Sequence, residues 1–276
     1  MPTDSPKTSR LHLLAATFRR DFTIALSYRL AFVLRFLSTI FQVAVFFFIS
    51  KLMGMAANPA LADVGGNYFA YVLIGLAFQR LFSISLTGYA SAVGEAQRTG
   101  TLEAQAILPV SMPLLITGAN LWPALYAAAE TATYLLLGIA LGASMAGANV
   151  VGAVIIAALA FLAISGLGYM GAAIILLYKR GNAVAWVVEA TTALVAGVYF
   201  PPEILPPPLQ KLSFLLPQTY ALAGLRSALL QSATLEQLLP TFAILAGFAL
   251  VLVPLGVGAI HVAYQKAQEK GSLAQY

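Results

Sequence analysis

Long runs of apolar residues, separated by short polar stretches, dominate the chain. A helix needs roughly 20 mostly apolar residues to cross a bilayer, and the runs of about that length cover residues 31–51, 68–92, 114–142, 150–178, 183–200 and 238–264. They are too long and too continuous for the alternating strands of a membrane β-barrel. The pattern predicts an all-α integral membrane protein in which residues 1–276 form a single domain with six transmembrane helices.

The composition indicates the same class of protein. Hydrophobic residues make up 60% of the chain and charged residues only 9%, with a mean hydropathy of +0.86, which is outside the mixture typical of soluble domains. The chain has no cysteine and only two histidines, so disulfides, thiolate metal sites and a histidine cluster are excluded. The charged stretch before residue 31 is too long for a signal peptide, and we interpret the first run as a retained helix.

Basic residues predict the orientation of the helices, because short loops rich in Lys and Arg stay in the cytoplasm. With six helices, the basic stretches all fall on one side: Lys7, Arg10, Arg19, Arg20, Arg29 and Arg35, then Arg98, Lys179, Arg180, Lys266 and Lys270. We therefore expect a multi-pass protein of the cell (inner or plasma) membrane with both termini in the cytoplasm. These loops account for the net charge of +5, so no nucleic-acid partner is expected.

Residues 10–29 show apolar and basic positions at helical spacing. Leu14 and Phe18 fall on an apolar stripe, and Arg19 and Arg20 fall on other faces. We predict an amphipathic interfacial helix that lies at the headgroup boundary, with its basic face against anionic membrane lipids or a cytosolic protein. The alternative is a membrane-surface anchor without a protein partner.

A polar loop, residues 94–111, separates the second and third apolar runs. Thr99 and Thr101 favour the start of a short helix that Pro109 limits, and Glu103 lies near its N-terminus, where the helix dipole stabilises an anion. A short amphipathic helix between two membrane spans is suited to docking a soluble partner. An ordinary polar loop is the alternative.

A proline-rich segment, residues 201–232, is apolar but cannot form one continuous helix, because proline lacks a backbone N–H and clashes with the preceding turn. We predict two short helices, about 208–216 and 218–230, broken at Pro217. They would dip into the outer leaflet as an external re-entrant hairpin buried in protein. Beyond them, residues 234–237 resemble a capping box that opens the last span.

Three ionisable residues, Arg80, Glu130 and Glu189, lie within predicted spans. Each is costly in hydrocarbon and should face a partner, the bundle interior or a watery path. The functional interpretation is a translocation path or a mobile ion pair at a dimer seam. The alternative is a static pair of Arg80 with one of the two glutamates, and the sequence does not decide which.

The fourth run, residues 150–178, carries a group of small residues: Ser165, Gly166, Gly168, Gly171 and Ala172. Small residues let two membrane helices approach closely. We therefore predict tight helix packing at this position, with a flexing hinge as the alternative.

The polar loop and the proline-rich segment together resemble the permease subunit of ABC-2 type export transporters. The first cytoplasmic loop of that family carries a Glu, Arg, Gly-Thr-Leu-Glu and Leu-Pro pattern, which here corresponds to Glu95, Arg98, Gly100, Thr101, Leu102, Glu103, Leu108, Pro109 and Ser111. The family's external segment is matched at Tyr199, Phe200, Pro201, Leu205, Pro206, Leu216, Pro217, Tyr220, Leu225 and Arg226. The chain departs from the pattern at Ala104 and Gln105, where the family usually has larger apolar residues.

The resemblance implies a homodimer or heterodimer of permease chains bound to two nucleotide-binding ATPase subunits. The residues that would couple to the ATPase subunits are Arg19, Arg20, Glu95, Arg98, Thr101 and Glu103. The chain contains no phosphate-loop motif, so we expect no catalytic residue, metal or cofactor on it, and ATP with Mg²⁺ on the partner subunit. The chain would then be a transport subunit and not an enzyme.

The apolar spans favour a hydrophobic or amphipathic cargo, such as a drug-like metabolite or a lipid. Residues 18–29 match poorly the signature of the polysaccharide exporters, so a polysaccharide or glycolipid exporter is the alternative within the family. A secondary transporter that uses Arg80, Glu130 and Glu189 as an ion relay is the alternative outside it. An intramembrane enzyme is disfavoured, because the spans carry no catalytic constellation.

Overall fold

The computed structural model describes residues 15, 17–20, 22–23, 29–52, 68–106, 110–178 and 182–269. Within these ranges the fold is all-α, as predicted, and no strand occurs. The helices are α1 (Arg29–Leu52), α2 (Tyr68–Arg98), α3 (Thr101–Ala106), α4 (Met112–Ala140), α5 (Val150–Tyr178), α6 (Asn182–Val195), α7 (Pro207–Ser213), α8 (Pro217–Leu230) and α9 (Leu235–Glu269). A 3₁₀ turn, Pro202–Ile204, precedes α7.

Four stretches within these helices are long and apolar enough to cross a membrane: Val33–Leu52, Tyr68–Arg98, Val150–Tyr178 and Leu235–Glu269. They support a multi-pass helical membrane protein. The 29 residues of α4 make a helix about 44 Å long, longer than the roughly 30 Å of a hydrocarbon core. In contrast, α6 ends at Val195 and not at the predicted residue 200, because the chain turns at Gly197 with φ 88°. The six-span count therefore stays a prediction.

The middle of the bundle is α5, which packs most extensively against α9 and then against α2. Glycines bring the backbones together: a side chain at Gly166 would overlap the backbone of Leu252 in α9, and one at Gly168 would overlap the carbonyl of Ser85 in α2. Gly256 of α9 lies against Gly166 in the same way. The close packing predicted from the small residues of this run is confirmed.

The core consists of two clusters of buried side chains. One cluster contains the first half of α2 with parts of α5 and α8, including Leu73, Ile156 and Leu222. The other contains the end of α2 with parts of α5 and α9, including Leu176 and Ile260. The 31 residues of α2 span about 46 Å, so the two clusters hold opposite ends of the molecule.

The first helix, α1, contacts α2 and α4 along one narrow side. Thr39 and Val43 are buried there, whereas Leu37, Phe41 and Phe48 are exposed. An apolar helix surface of this kind requires lipid or another helix as its neighbour.

The proline-rich segment forms two short helices, as predicted. The break lies at residues 214–216, and Pro217 is the first residue of α8 and not the break itself. The corner between the two helices is held by side-chain hydrogen bonds to backbone carbonyls: Thr219 Oγ1 donates to Ser213 O at 2.7 Å, and Tyr220 OH donates to Phe214 O at 3.0 Å. Each helix has proline at its first or second position, where a missing N–H costs little because that group has no partner within the helix. A re-entrant position of the segment in the membrane stays a prediction.

The start of α9 confirms the predicted capping box. The backbone N–H of Thr234 donates to Gln237 Oε1 at 2.9 Å, and the backbone N–H of Gln237 donates to Thr234 Oγ1 at 3.4 Å. These bonds satisfy two donors that the first turn of a helix leaves unpaired. They fix the point at which the chain leaves the proline-rich segment.

Candidate functional site

The polar loop contains the predicted short helix, α3, between α2 and α4. Leu102 on α3 is 1% exposed and lies in the cluster that includes Met112 and Ile116 of α4 and Leu176 of α5. Leu102 therefore anchors a short, polar helix in the apolar interior of the bundle. From the sequence, Leu102 was only one of the residues that match the pattern of the first cytoplasmic loop, and its burial was not predicted.

The first part of the polar loop, residues 94–98, belongs to the last turn of α2 and not to a loop, because the helix continues until Gly100 turns the chain with φ 66°. On this turn Glu95 and Arg98 are exposed and form an ion pair with each other. The hydroxyl of Thr101 is 3.4 Å from the carbonyl of Ala96 and 3.0 Å from the hydroxyl of Thr99. Thr101 thus helps to close the end of α2, and the two charged side chains extend outward.

Glu103 belongs to α3, and its side chain lies outside the described residues. Its predicted contact with an ATPase subunit stays a prediction. The same holds for the greater part of the interfacial helix predicted for residues 10–29. Of these, residues 15, 17–20 and 22–23 are described and are helical, and residue 29 begins α1.

The described N-terminal residues pack against α4 through aromatic rings. The ring centroids of Phe18 and Phe22 are 5.6 and 5.0 Å from that of Trp122, both in edge-on geometry. Arg19 and Arg20 lie between these two phenylalanines and are exposed. Trp122 is about 15 Å along α4 from its start beside α3, so the N-terminal basic residues and the polar loop adjoin the same half of α4.

A polar cluster joins α1, α2 and α4 beside the first core cluster. Arg80 Nε lies 3.7 Å from Glu130 Oε2, with the side chain of Arg80 39% exposed and that of Glu130 12% exposed. Thr39 Oγ1 donates to the other carboxylate oxygen of Glu130 at 3.4 Å. The structure thus assigns Glu130 as the partner of Arg80. Glu189, on α6, forms no ion pair with any other residue that the structure describes.

Further amides extend this cluster. Tyr134 OH donates to Gln42 Oε1 of α1, and Gln218 Nε2 of α8 donates to Gln79 Oε1 of α2 at 2.8 Å. Thr39 and the three glutamines were not predicted from the sequence. A signal was present on α1, because Thr39 and Gln42 are three residues apart and share one helix face.

A cavity of about 260 Å³ lies between α2, α5, α6 and the start of α8. Its lining is mostly apolar, and its polar side chains are Thr87, Thr192 and Gln218. Gln218 also bonds to Gln79, the neighbour of Arg80, so the cavity and the polar cluster share one side chain. A larger apolar groove of about 1030 Å³ runs between α4 and α5, over Phe78 of α2. Sites that are mostly apolar with a few polar groups suit hydrophobic or amphipathic molecules.

Arg226 on α8 is 4% exposed. Its Nη2 donates to Gly197 O at 2.8 Å and to Val198 O at 3.3 Å, and its Nε donates to Tyr71 O at 3.3 Å. Its guanidinium carbon lies 3.4 Å from the centroid of the Tyr71 ring. From the sequence, Arg226 was only part of the family pattern. Its contact between α2, α8 and the turn after α6 was not predicted.

A family model described as ABC-2 type transporter matches residues 12–230. No curated protein matches the chain. The matched range contains the N-terminal aromatic contacts, the polar loop, the pair of Arg80 with Glu130, and Arg226. It ends with the last residue of α8, so α9 lies outside it.

Proposed function

The chain belongs to the ABC-2 type transporter family, and from this premise we propose that it is the permease subunit of an ATP-driven exporter of a hydrophobic or amphipathic cargo. In this family the permease is the transmembrane component and not itself the ATPase. We propose that two such chains, identical or related, bind two separate ATPase subunits. ATP and Mg²⁺ bind to those partners, and this chain carries no cofactor of its own.

The observation that carries the proposal is the construction of the polar loop. Two exposed charged residues, Glu95 and Arg98, lie beside a short helix that is anchored in the core by Leu102. A protein that binds this loop would displace α3 as a unit, and the close packing of Leu102 would pass the displacement to α2, α4, α5 and α9. Tightly packed elements transmit rigid-body shifts of this kind between sites.

The coupling surface that we propose has two parts. Glu95, Arg98 and Glu103 supply its charges at the polar loop, and Arg19 and Arg20 supply further positive charge at the N-terminal residues held against Trp122. The two parts adjoin the same half of α4. A single ATPase subunit bound underneath would therefore act on α4 at two points. Thr101 supports the geometry of the loop from within.

The cargo path that we propose runs along the cavity and the polar cluster. The apolar lining suits the body of a drug-like metabolite or a lipid, and Thr87, Thr192 and Gln218 offer hydrogen bonds to a polar group. Arg80 remains partly exposed beside Glu130, so a polar headgroup could exchange with one member of the pair. Glu189, which has no ionic partner among the described residues, is the third candidate along this path.

The surroundings of the protein follow from the same proposal. The chain spans the cell membrane with both termini in the cytoplasm, and the proline-rich segment is a re-entrant hairpin on the outer side. The exposed apolar side of α1 contacts membrane lipids and the second permease chain.

The experiment that tests this function is extraction of the protein from its native membrane in a mild detergent, followed by mass spectrometry of the proteins that co-purify. We expect a soluble subunit with a phosphate-loop sequence, bound in equal amount. The variants Glu95→Lys and Arg98→Glu should each lose it. The control Lys266→Glu reverses an exposed charge at the end of α9 and should retain it.

A double variant separates contact with a partner from local structure. Glu95→Arg combined with Arg98→Glu restores the ion pair in reversed order. If the ATPase subunit stays lost in this variant, the two charges face the partner. If it returns, the charges only support the end of α2, and the docking role of these residues is wrong.

A second candidate function, an ion-driven secondary transporter, is favoured by one observation, the partly buried pair of Arg80 and Glu130. A chain that purifies alone and catalyses flux in liposomes under an ion gradient, without any ATPase, would support it. Flux that requires both ATP and the partner subunit excludes it.

A further inference from the structure

Arg226 joins three segments that are far apart in the chain. The acceptors of its hydrogen bonds are the carbonyl of Tyr71 near the start of α2 and the carbonyls of Gly197 and Val198 in the turn after α6. Arg226 itself belongs to α8, which ends the proline-rich segment. A single guanidinium group, with several donors in one plane, can satisfy acceptors on different segments at once.

The turn after α6 needs these donors. The carbonyls of Gly197 and Val198 lie beyond Val195, the last residue of α6, in a turn that Gly197 makes with φ 88°. They are therefore outside the regular hydrogen bonding of the helix, and buried carbonyls in such a turn need donors from elsewhere in the protein. Gly197 O accepts hydrogen bonds from both Arg226 and Tyr71 OH, the latter at 3.1 Å. Without Arg226, the carbonyls of Tyr71, Gly197 and Val198 would each lose a hydrogen bond from the guanidinium, and a buried acceptor left unpaired is costly.

Close backbone packing between α2 and the turn after α6 adds to the hydrogen bonds of Arg226. A side chain at Gly75 of α2 would overlap the carbonyl of Val198, so α2 and the turn after α6 meet without intervening side chains. The main contacts of α6 are with α2 and α7. The contact at Gly75 and Val198, together with Arg226, is therefore a large part of what attaches the end of α6 to the bundle.

We propose that Arg226 is a positioning residue that fastens the turn after α6 to the start of α2, so that these two segments and the proline-rich segment move as one outer body during transport. Opening of the cargo path then occurs at the borders of this body and not within it. The assignment of this movement to a transport cycle rests on the proposed function, whereas the fastening itself does not.

The chain has no native cysteine, so a single introduced thiol can report whether the fastening is closed. Val198→Cys places a smaller side chain at a fully buried position, and N-ethylmaleimide reacts with it only when the turn opens. We expect slow labelling with Arg226 present and labelling at least about tenfold faster with Arg226→Gln, because the local opening free energy falls when donors are lost. An unchanged rate overturns the proposal.

Two further thiols serve as controls. Leu215→Cys, at an exposed position, should react quickly in both backgrounds. Leu176→Cys, buried in the other cluster, should stay slow in both. If the labelling of Leu176→Cys becomes fast in the Arg226→Gln background, the Arg226→Gln variant has unfolded. Arg226→Lys then decides, because it keeps the positive charge but loses the planar set of donors: faster labelling of Val198→Cys with Leu176→Cys still slow supports the proposal, and no change overturns it.

A last measurement tests the movement as one body. With the ATPase subunit bound and trapped by ATP and vanadate, Val198→Cys should stay slow in the presence of Arg226. Labelling that accelerates on trapping would mean that the outer body opens internally, which overturns its rigidity. If no ATPase partner exists, the proposed function fails, while the labelling in the isolated chain still tests the fastening.

Discussion

At its start, α2 is joined to distant segments through the buried guanidinium of Arg226, and at its end it is joined to the bundle through the apolar side chain of Leu102. The charged groups are buried at the start of α2 and exposed at its end. The charge of Arg226 is inside the protein, with backbone carbonyls as its acceptors. The charges of Glu95 and Arg98 are outside, where they pair with each other across one helical turn.

This difference separates residues that hold the structure from residues that can meet a partner. A buried charge with fixed acceptors contributes to one conformation and is costly to leave unpaired. An exposed pair contributes little to folding, because water and salt screen it. The end of α2 with exposed charge is thus the one suited to reversible docking, and the end with buried charge is suited to permanent attachment.

The largest effect should come from Arg226→Ala, which removes the buried hydrogen bonds to the carbonyls of Tyr71, Gly197 and Val198. We expect the free energy of unfolding to fall by about 3 kcal/mol, measured as a lower midpoint of thermal unfolding in detergent. Arg226→Lys keeps the charge but cannot match the planar contacts, so its midpoint should lie between those of Arg226→Ala and the native chain. A midpoint unchanged by Arg226→Ala would show that both ends of α2 are held by apolar packing alone.

The next effect should come from Leu102→Ala, which opens a cavity where α3 enters the core. We expect a loss of about 2.5 kcal/mol in the free energy of unfolding, together with weaker stimulation of the partner's ATPase activity by cargo. Leu102→Met keeps most of the volume and should cost less than about 1.5 kcal/mol. If Leu102→Ala lowers stability but leaves the coupling intact, α3 transmits no motion through this residue.

A smaller effect is expected at the ion pair of Arg80 and Glu130, since Arg80 lies between the two ends of α2. Glu130→Gln removes the partner of a half-exposed Arg80, and we expect a stability loss of about 1 kcal/mol or less. Transport and cargo-stimulated ATPase activity should change severalfold while the ATPase subunit still co-purifies. Glu189→Gln is the comparison without an ion pair among the described residues and should leave stability unchanged. A large stability loss with Glu130→Gln and normal transport would make the pair purely structural.

The smallest effect on stability should come from the exposed pair. We expect Glu95→Gln combined with Arg98→Gln to change the free energy of unfolding by less than about 0.5 kcal/mol, although binding of the ATPase subunit is weakened. The midpoint of thermal unfolding of the permease alone checks the expected stability, and co-purification with the ATPase subunit checks the expected loss of binding. A midpoint that falls as far as in Arg226→Ala would remove the distinction between the two ends of α2.

Features that depend on a few neighbouring residues were predictable from the sequence. The break before Pro217, the short helix of the polar loop and the reciprocal bonds of Thr234 and Gln237 all follow from local rules for helix starts and stops. The close approach at Gly166 follows from residue size. In each case the physical cause lies within a few positions of the feature.

Features that depend on which helix faces meet were not predictable. Arg226 and its acceptor at Tyr71 are 155 positions apart, and the choice of Glu130 over Glu189 as the partner of Arg80 depends on how α2, α4 and α6 are arranged. The burial of Leu102 likewise depends on α5 and α9. Hydrophobic spacing identifies the apolar side of each helix, but it does not identify which other helix packs against that side.

The length of α9 has a consequence for the lipid around the protein. Its 35 residues extend about 52 Å, whereas the hydrocarbon core of a bilayer is about 30 Å thick. The helix must therefore tilt, kink at Pro240 or Pro254, or extend well beyond the acyl chains, and its close backbone contact with α5 makes the two helices move together. Hydrophobic mismatch thus acts on α5 and α9 together. Membranes of different thickness would therefore give this helix pair a different tilt relative to the bilayer normal.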